Sequence, residues 1–141
     1  MIINEENRDL FTVPQGYYLA HCISRDLALG AGIATQFVEH YNMREKLRLL
    51  RGIENVEVGE AVLIDNVFNL ITKEKAFQKP TLESLEETLQ HMKYQMEKLM
   101  IDKLAIPQLG CGLDRLDWDD VRETIETVFK DTDVEILICY I

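Results

Sequence analysis

The 141-residue sequence lacks the long apolar runs and the leading positive charge that direct a chain into a membrane or out of the cell. No stretch approaches the roughly 18 consecutive apolar residues that a bilayer-spanning helix needs. Residues 1–6, MIINEE, carry no cationic segment ahead of an apolar stretch, as a secretory signal would. We therefore expect a cytoplasmic protein with no membrane partner.

Cysteine is scarce as well, with only Cys22, Cys111 and Cys139 in the chain. Three is an odd number, and the spacing fits neither a CxxC motif nor paired metal ligands. Reduced thiols in a cytosol are the simplest account of this usage. We expect no disulfide and no metal site.

Positive charge is in short supply, because 15 Lys and Arg face 25 Asp and Glu, for a net charge of −10. This balance disfavours unspecific binding to nucleic acid or to anionic membranes, since a phosphate backbone requires a field of opposite sign. An anionic ligand must therefore be held locally. Backbone N–H groups and helix N-termini can supply that positive potential.

Linkers, internal repeats and low-complexity tracts are also missing. A hydrophobic content of 47% is enough for one core in a chain of this size. Residues 1–141 are therefore predicted to form a single domain, and we expect a monomer.

Hydrophobic periodicity predicts strands that alternate with helices. Thr81 and Asp117 are predicted helix N-caps, and the segment at residues 1–3 gives only a thin strand signal. The alternation favours a three-layer α/β/α domain with a mixed, largely parallel central sheet. Strands are predicted at residues 17–23, 59–64, 67–72, 103–107 and 134–141, and helices at residues 33–41, 43–50, 82–99 and 118–130.

Ligands of such sheets bind beyond the carboxyl ends of the strands, where three loops qualify: residues 24–34, 72–79 and 108–114. Two of these loops contain a Gly-x-Gly, at Gly30 and Gly32 and at Gly110 and Gly112. One isolated Gly-x-Gly is more often an ordinary tight turn, but two in one small domain favour an anion site. Neither GxxxxGK[ST] nor GxGxxG occurs, so a P-loop or a dinucleotide fingerprint is not supported.

Lys73 and Asp114 are the candidate reactive residues, since each lies beside one of these loops. A lysine that leaves a buried strand can be desolvated and nucleophilic, although a solvated lysine is the commoner case. Asp114 could move protons, cap the next turn or pair with Arg115. His21 fits a satisfied core histidine better than a base, and Cys111 fits a small loop residue better than a nucleophile.

Several motifs together resemble macrodomains, and most closely the terminal ADP-ribose protein glycohydrolase subclass. Of these, GCGLDRL within residues 107–116 is the specific string, whereas GAGIA at residues 30–34 is shared by many macrodomains. Arg8 departs from the family pattern, which usually has glycine there. The segments that match in order are residues 9–11, 21–24, 30–34, 70–73, 79–81 and 107–116.

The resemblance implies that ADP-ribose lies across the edge of the sheet, with Lys73 as nucleophile and Asp114 as acid/base residue. Adenine would lie at residues 9–10, the distal ribose near residues 24 and 30–34, and the diphosphate within residues 108–114. No cofactor or metal is implied. The implied ligand-binding residues are Asp9, Leu10, Ser24, Gly30, Ala31, Gly32, Ile33, Ala34, Gln108, Leu109, Gly110, Cys111, Gly112, Leu113 and Ile141.

The leading hypothesis is therefore a hydrolase that removes ADP-ribose from ester-linked glutamate or aspartate, with ADP-ribosylated proteins as partners. A reader module that binds ADP-ribose without turnover is the alternative from a different class. Hydrolysis of O-acetyl-ADP-ribose, or of an ADP-ribosylated nucleic-acid base, is a further alternative. A net charge of −10 disfavours general affinity for nucleic acid but not recognition of one modified nucleotide.

Overall fold

A computed structural model describes all 141 residues, and its elements follow the hydrophobic pattern of the sequence. A short 3₁₀ turn, Leu10–Thr12, follows the first strand. The strands are β1 (Ile2–Asn7), β2 (Tyr18–Ser24), β3 (Ala61–Ile64), β4 (Val67–Lys73), β5 (Lys103–Ile106) and β6 (Glu135–Tyr140). The helices are α1 (Ile33–Tyr41), α2 (Met43–Arg51), α3 (Leu82–Leu99) and α4 (Trp118–Phe129).

The six strands form one sheet in the order β1-β6-β5-β2-β4-β3. Every neighbouring pair is parallel except β3 and β4, which are antiparallel and joined by a turn at Asp65, where φ is +54°. Parallel neighbours require crossover connections, which the helices provide. The mixed, largely parallel sheet is confirmed.

Helices cover both faces of the sheet, as the three-layer prediction requires. One core lies between the sheet and α3 with α4, and a second core lies between the sheet and α1 with α2. Because side chains alternate along a strand, Leu19 of β2 enters the second core and Ala20 enters the first. None of the four helices combines the length and the apolar character that a membrane crossing demands.

The two predicted helix caps are present. Thr81 accepts a hydrogen bond from the Ser84 N–H, and the Ser84 hydroxyl is bonded in return to the Thr81 N–H, which makes a capping box before α3. Asp117 accepts from two N–H groups at the start of α4. The methionines of α3, Met92 and Met96, are buried in the core, as the apolar stripe predicted.

The first strand is longer than the sequence indicated, since β1 spans Ile2–Asn7 and pairs in parallel with β6. Most of its side chains are exposed, and only Ile3 packs against the core. It is an edge strand whose stability comes from backbone hydrogen bonds, which need no hydrophobic pattern. That is why residues 4–7 gave no strand signal.

The parallel arrangement brings the carboxyl ends of β2, β4 and β5 to one edge of the sheet. Ser24 of β2 is aligned with Lys73 of β4, and β5 ends beside them at Ile106. The three predicted ligand loops start from these three positions. They therefore meet in space, although up to about 80 residues separate them along the chain.

Candidate active site

A groove runs along this edge of the sheet. Its two halves are cavities of about 330 Å³ and about 280 Å³, and both are lined by Ile33, Pro107, Gln108 and Gly112. The larger half lies above β2 and β4, and the smaller half lies between the 3₁₀ turn and the chain end. An extended ligand could occupy both halves at once.

All the residues that the sequence suggested line one half of this groove or the other. The larger half contains Ser24, Gly30, Ala31, Gly32, Ile33, Ala34, Lys73, Gln108, Leu109, Gly110, Gly112, Leu113 and Asp114. The smaller half contains Asp9, Leu10, Cys111 and Ile141, together with the shared residues.

Lys73 and Asp114 form an ion pair in the larger half, with 2.6 Å between Nζ and Oδ1. The Lys73 ammonium also donates to the Ala76 carbonyl at 3.0 Å. Their side chains are only 12% and 18% exposed, so the pair is largely shielded from water while still reaching the cavity. Lys73 is therefore not a solvated strand-end lysine, and the partner of Asp114 is Lys73 rather than Arg115.

The two glycine loops expose backbone toward the groove. Gly32 is the residue before α1 and has φ +60° and ψ −148°, a conformation that residues with a Cβ adopt only under strain. Gly110 has φ +70°, and a Cβ there would lie 2.8 Å from Cδ1 of Leu116. No side chain caps the start of α1. The Thr35 N–H donates to the Gly32 carbonyl at 3.2 Å, which leaves the N–H groups of Ile33 and Ala34 available to an anion.

Arg8 and Asp9 line the smaller half of the groove and stabilise the 3₁₀ turn beside it. Asp9 caps the 3₁₀ turn by accepting from the Phe11 N–H at 2.9 Å. The Arg8 guanidinium donates to the Thr12 carbonyl at 2.9 Å and pairs with Glu6 at 3.0 Å. Arg8 does not have a positive φ, so this turn does not need the glycine that is usual in the family.

Two residues at the site were missed from sequence. Asp26 accepts the Ser24 hydroxyl at 2.5 Å, and a short polar spacing of two residues is the signal that could have revealed it. Phe77 lines the larger cavity although its side chain is 87% exposed. It lies in the predicted loop at residues 72–79, where its aromatic character was the available signal.

Two of the three thiols that line the groove, those of Cys22 and Cys111, are poor nucleophiles. Burial, with a smaller contribution from the Asp114 carboxylate, raises the pKa of Cys22 to about 12. Burial and then Asp117 raise the pKa of Cys111 to about 11. Since the thiolate is the reactive form, neither cysteine is activated near neutral pH. This supports the view of Cys111 as a small loop residue.

His21 lies in the core beneath the site rather than in the groove. Its Nε2 is 2.6 Å from Oδ1 of Asn69, and its ring stacks on Phe37 at 3.9 Å between centroids. The assignment to the core is confirmed, but the histidine is only half satisfied, because the buried Nδ1 has no hydrogen-bond partner. Burial lowers the pKa of His21 to about 4, and the Asn69 hydrogen bond opposes this shift only in part.

Comparison with known proteins identifies relatives over most of the chain. The family model for the Macro domain matches residues 20–125, which include both Lys73 and Asp114. Human ADP-ribose glycohydrolase OARD1 is 39% identical over 134 residues, an alignment that covers 92% of this chain and 86% of that relative.

Solved structures show the same fold. The macrodomain of Mycobacterium tuberculosis DarG superposes with a TM-score of 0.89 at 24% identity, covering 98% of this chain and 97% of that one. Thermosipho africanus DarTG in complex with ADP-ribose superposes with a TM-score of 0.82 at 17% identity, covering 98% of this chain and 41% of that one. The match of the family model and the identity to the human relative show that the chain belongs to the Macro domain family.

Proposed function

We propose that the chain is an ADP-ribosyl hydrolase that removes ADP-ribose from ester-linked adducts on glutamate and aspartate side chains. The observation that carries this proposal is the shielded pair of Lys73 and Asp114, 2.6 Å apart in a cavity between two glycine loops. The name of the human relative, an ADP-ribose glycohydrolase, supports the same reaction class. ADP-ribosylated proteins are the proposed partners.

The proposed binding mode places the ligand along the whole groove. Adenine lies beside Asp9 and Leu10, and the diphosphate lies against the backbone N–H groups of residues 30–34 and 108–114. The distal ribose then reaches Lys73 in the larger cavity. Backbone donors and the start of α1 take the place that a divalent cation has at many diphosphate sites, so the proposal requires no metal or cofactor.

The proposed chemistry starts with transfer of a proton from the Lys73 ammonium to the Asp114 carboxylate, which are already in contact. The neutral amine forms a bond to the anomeric carbon of the ribose, and the C–O bond to the substrate carboxylate breaks. The departing carboxylate keeps the bonding electron pair and takes the proton from Asp114. The carboxylic acid that results then releases this proton to solvent. A covalent lysyl-sugar intermediate remains.

Water completes the turnover. As the water oxygen bonds to the anomeric carbon, the C–N bond to Lys73 breaks, and the proton that the water loses passes through Asp114 to the departing amine. ADP-ribose is released with a hydroxyl at the anomeric carbon. Both side chains return to their starting charges, so the cycle is balanced in protons.

The test is to compare Lys73→Ala and Asp114→Ala with the unaltered chain on a protein ADP-ribosylated at glutamate. Each variant is expected to lose about 10²-fold or more in kcat, because each removes the nucleophile or the proton carrier. Binding of ADP-ribose, measured by calorimetry, should persist in both variants. Intact-mass spectrometry of the unaltered chain should find an adduct on Lys73.

A remote ion pair of the same length provides the control. Lys46 on α2 and Asp65 at the β3–β4 turn are also 2.6 Å apart, but their side chains are 41% and 46% exposed. Lys46→Ala should therefore leave turnover unchanged. Full activity of Lys73→Ala would show that the nucleophile is wrongly assigned. An unaltered chain that binds ADP-ribose without cleaving any ester would contradict the proposed substrate and favour a reader.

A further inference from the structure

The carboxylate of Asp26 joins two loops beside the larger cavity, which Ser24 and Ala76 line. Its Oδ1 accepts from the Ser24 hydroxyl at 2.5 Å and from the Ala28 N–H at 3.2 Å. Its Oδ2 accepts from the Ala76 N–H at 3.0 Å, fifty residues further along the chain. One side chain therefore connects the loop that follows β2 to the loop that follows β4.

Ala76 is also the residue whose carbonyl holds the Lys73 ammonium, at 3.0 Å from Nζ. A continuous path of hydrogen bonds runs from Asp26 through Ala76 to Lys73, and from Lys73 to Asp114 at 2.6 Å. Ala76 lies in an exposed segment with no regular secondary structure. Its position therefore depends on bonds of this kind rather than on packing.

We propose that Asp26 is a positioning residue for Lys73: by fixing Ala76, it holds the Lys73 amine at the geometry from which the anomeric carbon can be attacked. This inference rests on the proposed function. The hydrogen bonds of the Asp26 carboxylate go to Ser24, Ala28 and Ala76, and none goes to Lys73 or Asp114. Asp26 instead sets the distance and direction of the nucleophile.

Two further observations agree with this role. The Arg25 N–H donates to the Lys73 carbonyl at 2.8 Å, so the loop that follows β2 and the loop that follows β4 are bonded to each other where they begin. Burial tends to raise the pKa of the Asp26 carboxyl, but hydrogen bonds from Ser24, Ala76 and Ala28 outweigh it and leave that pKa below its ordinary value. The carboxylate is therefore charged, and its bonds to both loops are charge-assisted.

The substitution Asp26→Asn tests the proposal with little change of shape. An amide has one oxygen and one NH₂ group, so its nitrogen must face either the Ala76 N–H or the Ala28 N–H, and one link is lost. Asp65→Asn is the matched control, because it makes the same change of charge at a lysine-paired aspartate far from the groove. Ala76→Pro removes the Ala76 N–H, which is the donor to Asp26, and leaves the Asp26 carboxylate unchanged.

We expect kcat on a glutamate-linked substrate to fall about ten- to a hundredfold in Asp26→Asn, because a small misplacement of a reacting group has that effect. The Kd for ADP-ribose should stay within about threefold, since the glycine loops hold the ligand. Ala76→Pro should reproduce this pattern, Asp26→Glu should recover part of the lost rate, and Asp65→Asn should match the unaltered chain.

An unchanged kcat in both Asp26→Asn and Ala76→Pro would overturn the proposal. So would a loss of ADP-ribose binding as large as the loss of rate, since Asp26 would then serve the ligand loop alone. The fraction of chain that carries a Lys73 adduct after incubation with ADP-ribose gives a readout that needs no ester turnover. If the unaltered chain forms the adduct without cleaving esters, the proposed function fails. The adduct fraction in Asp26→Asn, compared with that in the unaltered chain, then still tests the role of Asp26.

Discussion

His21 is an ionisable side chain that is completely buried in the core. Its ring lies between Phe37 and Asn69, and Nδ1 has no partner. In the folded chain the pKa of His21 is lowered from 6.5 to about 4, so the imidazole stays neutral at mildly acidic pH. The unfolded chain takes up this proton near pH 6.5, so the unfolded state binds more protons between these values. Stability must therefore fall as the pH falls.

This difference predicts a measurable dependence of stability on pH. Between pH 7 and pH 5, His21 should lower the free energy of unfolding by about 2 kcal/mol, because only about 1.5 pH units of this interval lie below 6.5 and each contributes about 1.4 kcal/mol. Urea unfolding at the two pH values measures it, and His21→Gln should remove most of this loss. The pKa of the Asp26 carboxyl is lowered, so this group affects the free energy of unfolding only below about pH 4, outside the interval from pH 7 to pH 5.

A second histidine serves as the control for this measurement. His40 is exposed on α1, and His40→Gln should keep the full pH dependence. A pH dependence that is the same in His21→Gln and in the unaltered chain would mean that His21 is solvated or protonated in the folded state.

At the residue scale, the sequence predicted the two proposed reactive residues but not the contact between them. Lys73 and Asp114 were both selected for their positions beside the predicted ligand loops, whereas their ion pair depends on a loop conformation 41 residues away. Asp26 was missed for the same reason, because its partner Ala76 is fifty residues distant. The unpartnered Nδ1 of His21 is a property of the packed core that an apolar run cannot reveal.

At the scale of elements, the two loops contain glycine for different reasons. Gly32 is needed for its backbone conformation, and Gly112 leaves open space beside the chain. Gly32 has a strained φ and ψ before α1, whereas Gly112 has no atom within 4 Å of where a Cβ would stand. Gly112 lines both halves of the groove. A methyl group at Gly112 would therefore enter space that the proposed ligand fills, and one at Gly32 would strain the chain itself.

Alanine substitutions at these two positions should separate folding from binding. Gly32→Ala is expected to lower the free energy of unfolding by about 1–3 kcal/mol. Gly112→Ala should change it by less than about 1 kcal/mol, yet weaken ADP-ribose binding about tenfold or more through steric overlap. Thermal unfolding and calorimetry measure the two effects. Unchanged ADP-ribose affinity in Gly112→Ala would show that the ligand does not approach this loop.

Element bounds were predictable where one face of a helix is apolar and its ends carry signals. Both α1 and α3 begin and end at the predicted residues, and Thr81 and Asp117 cap as expected. The polar edge strand β1 extended beyond its predicted length because hydrogen bonds to β6, rather than a buried face, define it. The conformations of the ligand loops depend on bonds between loops, which no local pattern encodes.

At the scale of the whole molecule, a chain of net charge −10 is proposed to bind a ligand that carries a diphosphate. The basic side chains that line the groove do not alter this balance, because Lys73 is paired with Asp114 and Arg8 with Glu6. What remains for the diphosphate is the set of backbone dipoles in the glycine loops and at the start of α1. These dipoles act at contact distance, while the net charge repels the ligand over a longer range.

Salt should therefore affect ADP-ribose binding in the opposite sense to binding by a cationic site. Between about 50 and 300 mM NaCl, the affinity measured by calorimetry should stay constant or rise by less than about tenfold, because salt screens the long-range repulsion and leaves the N–H contacts intact. Sodium sulfate at equal ionic strength is the control for competition by an anion at the N–H groups. An affinity that falls steeply with NaCl would mean that lysine or arginine side chains hold the diphosphate, and the backbone account of the groove would be wrong.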